Sequence, residues 1–225
     1  MLTSHRVIKA IGDIVGEASE AVIKQVFSMH HDIKGKEEEI TAQIASEITL
    51  HLCQEIESKL DGRTISGVKF RVYVFRKKEE SRVGADLAGV LTLNLDGKTT
   101  TKMYLAQAKV GQVRRNAFDQ ESVYVKDSRL LEQVDKMLAV TPDSYVFLYS
   151  RLGVQVLSAH AVRMLGQGNF STDDLYTHKF GWFYQEFFKC FLGDHRFTDI
   201  IHNGGLAALA ERVSANKVLM ISGMA

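Results

Sequence analysis

The sequence contains one proline, two cysteines and no apolar run that approaches the roughly 20 residues of a membrane-spanning helix. The scarcity of proline argues against long extended linkers between domains. Cys53 and Cys190 lie in apolar, helix-like runs, which is typical of buried free thiols in a reducing compartment rather than of a disulfide framework. Acidic residues such as Asp13 and Glu17 near the N-terminus are unlike a secretory signal. We therefore expect a cytoplasmic protein with no membrane partner.

The charges of the two signs nearly balance, because the chain has 28 Lys and Arg residues and 27 Asp and Glu residues, for a net charge of +1. This balance lacks the strong basicity of a dedicated nucleic-acid-binding protein, although a local basic rim would suffice to bind DNA. The sequence also lacks a Gly-rich phosphate loop, a Cys-x-x-Cys pair and a His-Glu-x-x-His zinc motif. A hydrophobic content of 45% is nevertheless that of an ordinary globular chain.

Two apolar runs flank the dipeptide Asp96-Gly97, which is typical of the two-residue loop of a β-hairpin. A loop at this position sets the strand register and places Asp86 directly opposite Gln107. Lys109 follows two residues later and therefore points to the same face of the sheet. A slip of one residue would turn Asp86 to the other face, so the prediction depends on this register.

These three side chains suit metal-assisted hydrolysis of a phosphate ester. Asp and Gln oxygens are hard ligands for Mg²⁺, and a lysine beside the ion can position or deprotonate the attacking water or offset charge on the phosphate. The alternative is a hairpin with ordinary surface residues, which is the better interpretation for any one of the three alone. The apolar neighbours of Lys109 predict that it is buried, and a buried lysine needs a partner or a function.

The segment Gly-Ala-Asp ending at Asp86, followed by a hairpin and then Gln-Ala-Lys ending at Lys109, resembles the PD-(D/E)XK nuclease superfamily, the restriction-endonuclease-like fold. The Gln-x-Lys form is similar to the variant in Mrr-type restriction enzymes and related defence nucleases. The resemblance implies that Asp86, Gln107 and the main-chain carbonyl of Ala108 bind Mg²⁺ or Mn²⁺, and that Lys109 assists the hydrolytic water. The sequence departs from the superfamily's motif in two ways. No proline precedes Asp86, and Gln107 replaces the usual acid, which lowers the negative charge available to a cation.

Apolar residues recur every four positions from Ile40, which predicts a helix before the hairpin. In the superfamily this helix often provides a Glu to the metal. The resemblance therefore implies Glu38 as a ligand, with Glu39 and Glu47 as alternatives. The clustered acids at the start of the helix also suit its positive N-terminus, and this structural explanation would account for all of them.

Glu80 and Gln133 are further polar candidates near the predicted site. Glu80 lies in the charged segment 76–82 and is either an outer metal or water ligand or, as we favour, a solvent-exposed loop acid. Gln133 lies on a predicted helix and either points back to the site or, in the slightly favoured interpretation, lies on the surface. We predict that residues 110–126 form a loop that grips DNA or acts as a lid.

Three histidines carry weaker signals. His30 and His31 have no third ligand nearby, so a loop is favoured over a metal site. His195 is a candidate proton shuttle, but no other feature of the sequence supports that role. Asp173-Asp174 is predicted to open a helix with a stripe of aromatic residues, for which the core is favoured over a partner surface: Phe180, Phe183, Phe187 and Phe191.

Together these patterns predict one α/β domain with a mixed central sheet. It comprises an N-terminal helix at 1–34, an αβββαβ restriction-endonuclease-like core within 35–160, and an aromatic-rich helical extension at 161–225. We expect a metal-dependent endonuclease that hydrolyses phosphodiester bonds. The resemblance favours DNA over RNA, a homo-oligomer or partner subunit, and a role as an antiviral defence effector. The alternatives are a catalytically degenerate module of the same fold for DNA binding or protein assembly, and a helix-rich interaction subunit.

Overall fold

The computed structural model describes residues 4–30, 32–59, 68–75, 77–95, 98–116 and 118–198. Helices within these ranges are α1 Ser4–Met29, α2 Glu37–Lys59, α3 Lys77–Val83, α4 Leu130–Val140, α5 Ala159–Met164 and α6 Phe180–Phe188. Strands are β1 Val68–Val74, β2 Leu87–Leu95, β3 Lys98–Val110, β4 Gln112–Arg115, β5 Glu121–Lys126, β6 Ser144–Ser150, β7 Gly153–Ser158, β8 Asn169–Ser171 and β9 His178–Lys179.

The strands form two sheets. The larger has the order β1-β2-β3-β6-β7-β9, in which β3 and β6 are parallel and all other neighbours are antiparallel. The smaller is antiparallel, with the order β4-β5-β8. The predicted mixed α/β class is therefore confirmed. No helix within the described ranges has both the length and the apolar character needed to cross a bilayer.

The β2–β3 hairpin has the predicted register. Leu95 pairs with Lys98, and Leu87 pairs with Ala106. Asp86 lies just before β2, and its N–H donates to the Ala106 carbonyl at 2.9 Å, which extends the ladder by one step. The two predicted turn residues, 96 and 97, lie outside the described residues.

The larger sheet lies between two hydrophobic layers. In β3, Tyr104 and Ala106 face the layer that contains α1, α2 and α6, whereas Met103 and Leu105 face the layer with α3, α4, α5 and the small sheet. Side chains alternate along a strand, so Gln107 and its successor at 109 continue on the α4 side. Gln107 and Lys109 therefore follow Met103 and Leu105 along the same face of β3, at the end of the strand.

The predicted aromatic stripe belongs to the core where it lies within α6. Phe183 and Phe187 are buried, and their rings meet the edge of Tyr104 at centroid distances of 4.9 and 5.0 Å. Phe191 lies past the end of the helix and is 73% exposed, so it is not part of the buried stripe. The helix begins at Phe180 rather than at Asp173, because a short 3₁₀ turn and strand β9 come first.

Two predicted loops are regular elements instead. The charged segment before Asp86 forms α3, in which Val83 is buried against the core, Glu80 is partly buried, and Lys77 and Arg82 are exposed. Strands β4 and β5 pair as an antiparallel hairpin in the second of these loops, and Val123 and Val125 alternate with more polar neighbours and pack into the core. The many charged residues hid the helical pattern of α3 and the alternating pattern of β5 in the sequence, because each element buries only one or a few side chains. Residues 199–225 of the predicted extension lie outside the described residues.

Candidate functional site

Asp86, Gln107 and Ala108 meet at the end of the hairpin. Oδ2 of Asp86 accepts two hydrogen bonds, from Nε2 of Gln107 at 2.5 Å and from the Ala108 N–H at 2.7 Å. Nε2 of Gln107 also donates to the Ala108 carbonyl at 3.2 Å. The amide group of Gln107 thus stands between a carboxylate oxygen and a main-chain carbonyl, while its own Oε1 is buried without a hydrogen-bond partner.

Lys109 is buried beside this group, as its apolar neighbours predict. Its side chain is 7% exposed, and Nζ lies 2.9 Å from Oδ2 of Asp127 and 3.9 Å from Oε1 of Glu37. Its charge is also close enough to favour the ionised form of Asp86. A buried ammonium with carboxylates around it is the arrangement expected of a paired lysine.

The acid that α2 contributes is Glu37, and the structure does not bring the predicted Glu38 to this group. Oε2 of Glu37 accepts the Val110 N–H at 3.0 Å. Glu38 is 77% exposed and pairs with Lys77 at 2.9 Å. One residue is about 100° of rotation around a helix, so neighbouring glutamates point to different surroundings.

The two alternatives to Glu38 on the same helix do not reach the group either. Glu39 is exposed to solvent. Glu47 pairs with His51, whose ring nitrogen lies 3.3 Å from its carboxylate. The burial of Glu37 could have been predicted from the sequence. Glu37 lies three and seven residues before Ile40 and Ile44, on the helix face that is buried against the sheet.

Glu80 and Gln133 hydrogen-bond to each other, and both differ from the favoured predictions. Glu80 is a partly buried residue of α3 rather than an exposed loop acid. Gln133 is only 8% exposed and donates through Nε2 to Oε1 of Glu80 at 3.1 Å, so it is not a surface residue. Like Gln107, it has an Oε1 that is buried without a partner.

The pKa of Asp86 is raised to about 7. Burial is the main cause, and the nearby charges of Glu80 and Glu37 raise it further. The Ala108 N–H and the Lys109 charge oppose the shift. Burial also raises the pKa of Glu37, although Lys109 and the Val110 N–H oppose this. Burial, assisted by nearby negative charge, therefore disfavours the ionised form of both carboxyls and raises the pKa of each.

Asp127 behaves differently from the other acids. Burial opposes its ionisation, but hydrogen bonds from Lys109 and the Arg129 N–H outweigh burial and lower its pKa. Oδ1 accepts the Arg129 N–H at 2.8 Å, while Oδ2 holds Lys109. Asp127 was missed as a site residue because it is distant in sequence, and only its place between a strand and a helix distinguishes it.

The donor set fits a hard divalent cation. Asp86, the Ala108 carbonyl and the orphaned Oε1 of Gln107 are oxygen ligands of the kind that Mg²⁺ and Mn²⁺ take. A half-turn of the Gln107 amide exchanges its nitrogen and oxygen, and three oxygens would then converge, an arrangement that a bound cation would stabilise. In the described part of the chain, no three His, Cys, Asp or Glu side chains lie close enough to hold a metal by themselves. A cation here therefore needs the glutamine and main-chain oxygens.

The histidine candidates lie elsewhere. Nε2 of His30 hydrogen-bonds to Oε1 of Gln43 at 2.7 Å, and His31 is outside the described residues. His195 is exposed in a 3₁₀ turn that follows the bridge between Asp194 and Met103, on the part of β3 away from Lys109.

Comparison of the chain with known protein families and with curated proteins gives no match. The interpretation of the site therefore depends on its own geometry.

Proposed function

We propose that this protein is a metal-dependent endonuclease that hydrolyses phosphodiester bonds, with Mg²⁺ or Mn²⁺ held by Asp86, Gln107 and the Ala108 carbonyl. One observation carries the proposal. The Asp86 carboxylate, the Ala108 carbonyl and a glutamine amide with an orphaned buried oxygen meet at one point, beside the buried amine of Lys109. The unpaired buried oxygen in this set needs an explanation, and a bound cation provides one.

The element order supports the restriction-endonuclease-like core. Helix α2 is followed by the meander β1-β2-β3, then α4, and then β6, which lies parallel to β3. This is the αβββαβ order that the sequence resemblance implies, with α3 and the β4–β5 hairpin as additions. The proposed site lies at the carboxyl end of β3, between the helices of both layers.

Each residue has a distinct role in the proposed reaction. A bound cation would polarise a water and offset charge on the phosphate. Asp86 and Gln107 would hold the cation, and Glu37 adds a carboxylate close to Lys109. Lys109 pairs with Asp127, and in the proposed reaction its Nζ would position the attacking water or offset charge on a phosphate oxygen.

The test is cleavage of supercoiled plasmid DNA in Mg²⁺ or Mn²⁺ by the native protein and by Lys109→Ala. We expect nicking or linearisation by the native protein and a loss of at least about 10²-fold in the variant. Lys24→Ala is the matched control, because Lys24 is exposed on α1 in the opposite layer. Equal cutting by native protein and Lys109→Ala, or none by either in both metals, would contradict a nuclease.

A catalytically degenerate DNA-binding module is the second candidate, and one observation favours it. Gln107 adds no charge and donates to Asp86, so a neutral amide occupies the place of the acid found in most of the superfamily. The variant Gln107→Glu separates the candidates. If the native protein binds DNA without cutting it, and Gln107→Glu also fails to cut, the degenerate module is the better description.

The remaining parts of the proposal depend on the resemblance alone. They are the preference for DNA over RNA, a second protomer or partner for cutting both strands, and a role in antiviral defence. Parallel digests of duplex DNA, single-stranded DNA and RNA test the first of these directly.

A further inference from the structure

The small sheet presents a polar outer face next to the proposed site. Val123 and Val125 point into the core, so the alternate residues of β5, among them Lys126, point outward. Arg114 pairs with Ser122, another of these alternate residues, and therefore lies on the same outer face. The β4–β5 hairpin is an addition to the αβββαβ order, so the sequence resemblance assigns no role to this face.

Two cations on the outer face have no acidic partner. Arg114 and Lys126 are both exposed. The guanidinium of Arg114 lies over the ring of Tyr124, 4.4 Å from its centroid, and donates to Oε1 of Gln112 at 3.1 Å. Within the described residues, neither cation has a carboxylate within salt-bridge distance. Both are therefore available to an anionic partner.

The acids of the hairpin do not cancel this charge, because other basic residues neutralise them. Asp119 pairs with Arg115 at 2.9 Å, and Glu121 pairs with Arg151. Asp173 accepts a hydrogen bond from a neutral amide near the tip of the hairpin, at the opposite end from Lys126. The outer face therefore keeps its positive charge where it adjoins the site.

The tip of the hairpin holds a large apolar side chain in water. Phe118 is 83% exposed. Its turn is ordered by Asn116, whose Oδ1 accepts the N–H groups of Phe118 at 2.9 Å and Gln120 at 3.0 Å. The Asn116 carbonyl also accepts the Asp119 N–H at 3.0 Å. The ring of Phe118 is thus presented from a fixed turn, beside a basic face.

We propose that this outer face docks duplex DNA, with Arg114 and Lys126 on backbone phosphates and Phe118 inserted between neighbouring base pairs. The inference rests on the proposed function, whose substrate it would position. Exposed cations are complementary to the phosphate backbone, and apolar wedges beside such cations are used to insert between the base pairs of DNA. Double-stranded RNA is instead recognised largely through its 2′-hydroxyls and its shape, so duplex DNA is the better occupant.

The ends of the hairpin place this face next to the proposed catalytic group. Strand β5 ends at Lys126, and the next residue, Asp127, holds Nζ of Lys109 at 2.9 Å. Strand β4 begins two residues after Val110, whose N–H donates to Glu37 at 3.0 Å. A duplex on the outer face would therefore adjoin the groups that are proposed to act on its backbone.

The spacing of the two cations suits contacts with separate phosphates. Ser122, the partner of Arg114, lies four residues before Lys126 on β5. At about 3.3 Å per residue, the two cations are separated by about 13 Å along the strand. A DNA strand rises about 3.4 Å per nucleotide, so this separation covers about four steps. One backbone could contact both cations and continue towards Lys109.

The phosphate contacts are tested by fluorescence anisotropy of a labelled DNA duplex with the full chain in EDTA, over a series of salt concentrations. We expect the slope of log affinity against log salt to fall by about 1 in Arg114→Gln and in Lys126→Gln. The double variant should bind at least about tenfold more weakly. Lys24→Gln is the matched control, because Lys24 is exposed on α1 in the opposite layer. Circular dichroism verifies the fold of each variant.

The wedge is tested by energy transfer between dyes at the two ends of a short duplex. The native protein should bring the ends closer by kinking the duplex, and Phe118→Ala should leave it straight while the salt slope is unchanged. Phe191→Ala should kink it as the native protein does, because Phe191 is equally apolar and 73% exposed but lies past the end of α6.

The outcomes separate this inference from the proposed function. Native salt slopes in both cation variants overturn the docking surface, whereas plasmid cleavage by the native protein would still support the nuclease. DNA binding that the double variant loses, without cleavage by the native protein, supports the docking surface and contradicts the nuclease. Equal kinking by Phe118→Ala overturns the wedge, as does a native dimer that this variant dissociates in light scattering. Tighter binding of duplex RNA than of duplex DNA overturns the choice of occupant.

Discussion

Replacing Asp86 with Asn should stabilise the metal-free protein at alkaline pH, although it removes the proposed ligand. The pKa of Asp86 is raised from 3.8 to about 7, mainly by burial and by the charge of Glu80. An acid whose pKa is higher in the folded state binds a proton more tightly when folded. Its contribution to stability therefore falls as pH rises from about 4 to about 7. Asn carries no charge and removes this penalty.

The size of the effect follows from the shift. About three pKa units at 1.36 kcal/mol each set an upper bound of about 4 kcal/mol above pH 7. Asp86 is partly exposed, so solvent screening should reduce the gain to about 2 kcal/mol. The hydrogen bonds need not change. Both fall on Oδ2, and the carbonyl oxygen of Asn can accept them from Gln107 and from the Ala108 N–H.

The assay is urea denaturation of the native protein and Asp86→Asn in EDTA at pH 8 and pH 5. The free energy of unfolding should rise in the variant by about 2 kcal/mol at pH 8 and by about a third of that at pH 5. Asp13→Asn is the control of opposite sign, since Asp13 pairs with Lys189 at 2.9 Å and its pKa is lowered. A variant no more stable than the native protein at pH 8 would refute the account of a strained carboxylate.

Three further perturbations have expected outcomes. Gly84→Ala should lower the unfolding free energy by more than about 2 kcal/mol, whereas Gly35→Ala, with a similar positive φ but open space, should cost only about 1, as thermal melts would show. Burial lowers the pKa of Lys102 to about 8, so Lys102 loses its proton at lower pH in the folded protein than in the unfolded chain. The free energy of unfolding should therefore rise from pH 8 to 9.5. Lys102→Met should abolish this slope in urea titrations. Asp127→Asn should keep the fold but misplace Lys109, slowing plasmid cleavage by up to about 10²-fold with Mn²⁺ binding unchanged; equal rates would remove its positioning role.

The sequence was sufficient for the parts of the site that depend on strand register. A two-residue turn fixes which residues oppose one another, and alternation then fixes the face. Asp86 and Gln107 therefore meet as predicted, and Lys109 is buried on their side. The mixed α/β class follows from the same logic, because helical and strand periods alternate along the chain, but the second, smaller sheet does not follow from it.

The sequence was insufficient where a helix face or a long-range contact decides the outcome. Glu37 and Glu38 have the same chemistry, and only the rotation of α2 against the sheet separates the buried one from the exposed one. Gln133 was assigned to the surface because glutamine usually lies there. Its burial depends on contact with α3, a helix that the charged sequence concealed. Asp127 is brought to Lys109 only by the return of the β4–β5 hairpin.

The raised pKa of Asp86 also predicts how the affinity of the proposed site for a cation should depend on pH. Near neutral pH, Asp86 is half protonated, so a cation that takes its carboxylate must displace the proton. Affinity for Mn²⁺ should therefore rise by up to about tenfold per pH unit below pH 7 and level off above it. Calorimetry at pH 6 in two buffers of different ionisation enthalpy counts the released protons, and we expect close to one for each Mn²⁺ bound at Asp86. Asp86→Asn cannot release this proton, so residual Mn²⁺ binding in that variant should be independent of pH from 6 to 8. Affinity in the native protein that is equally flat with pH would mean that the cation does not engage Asp86.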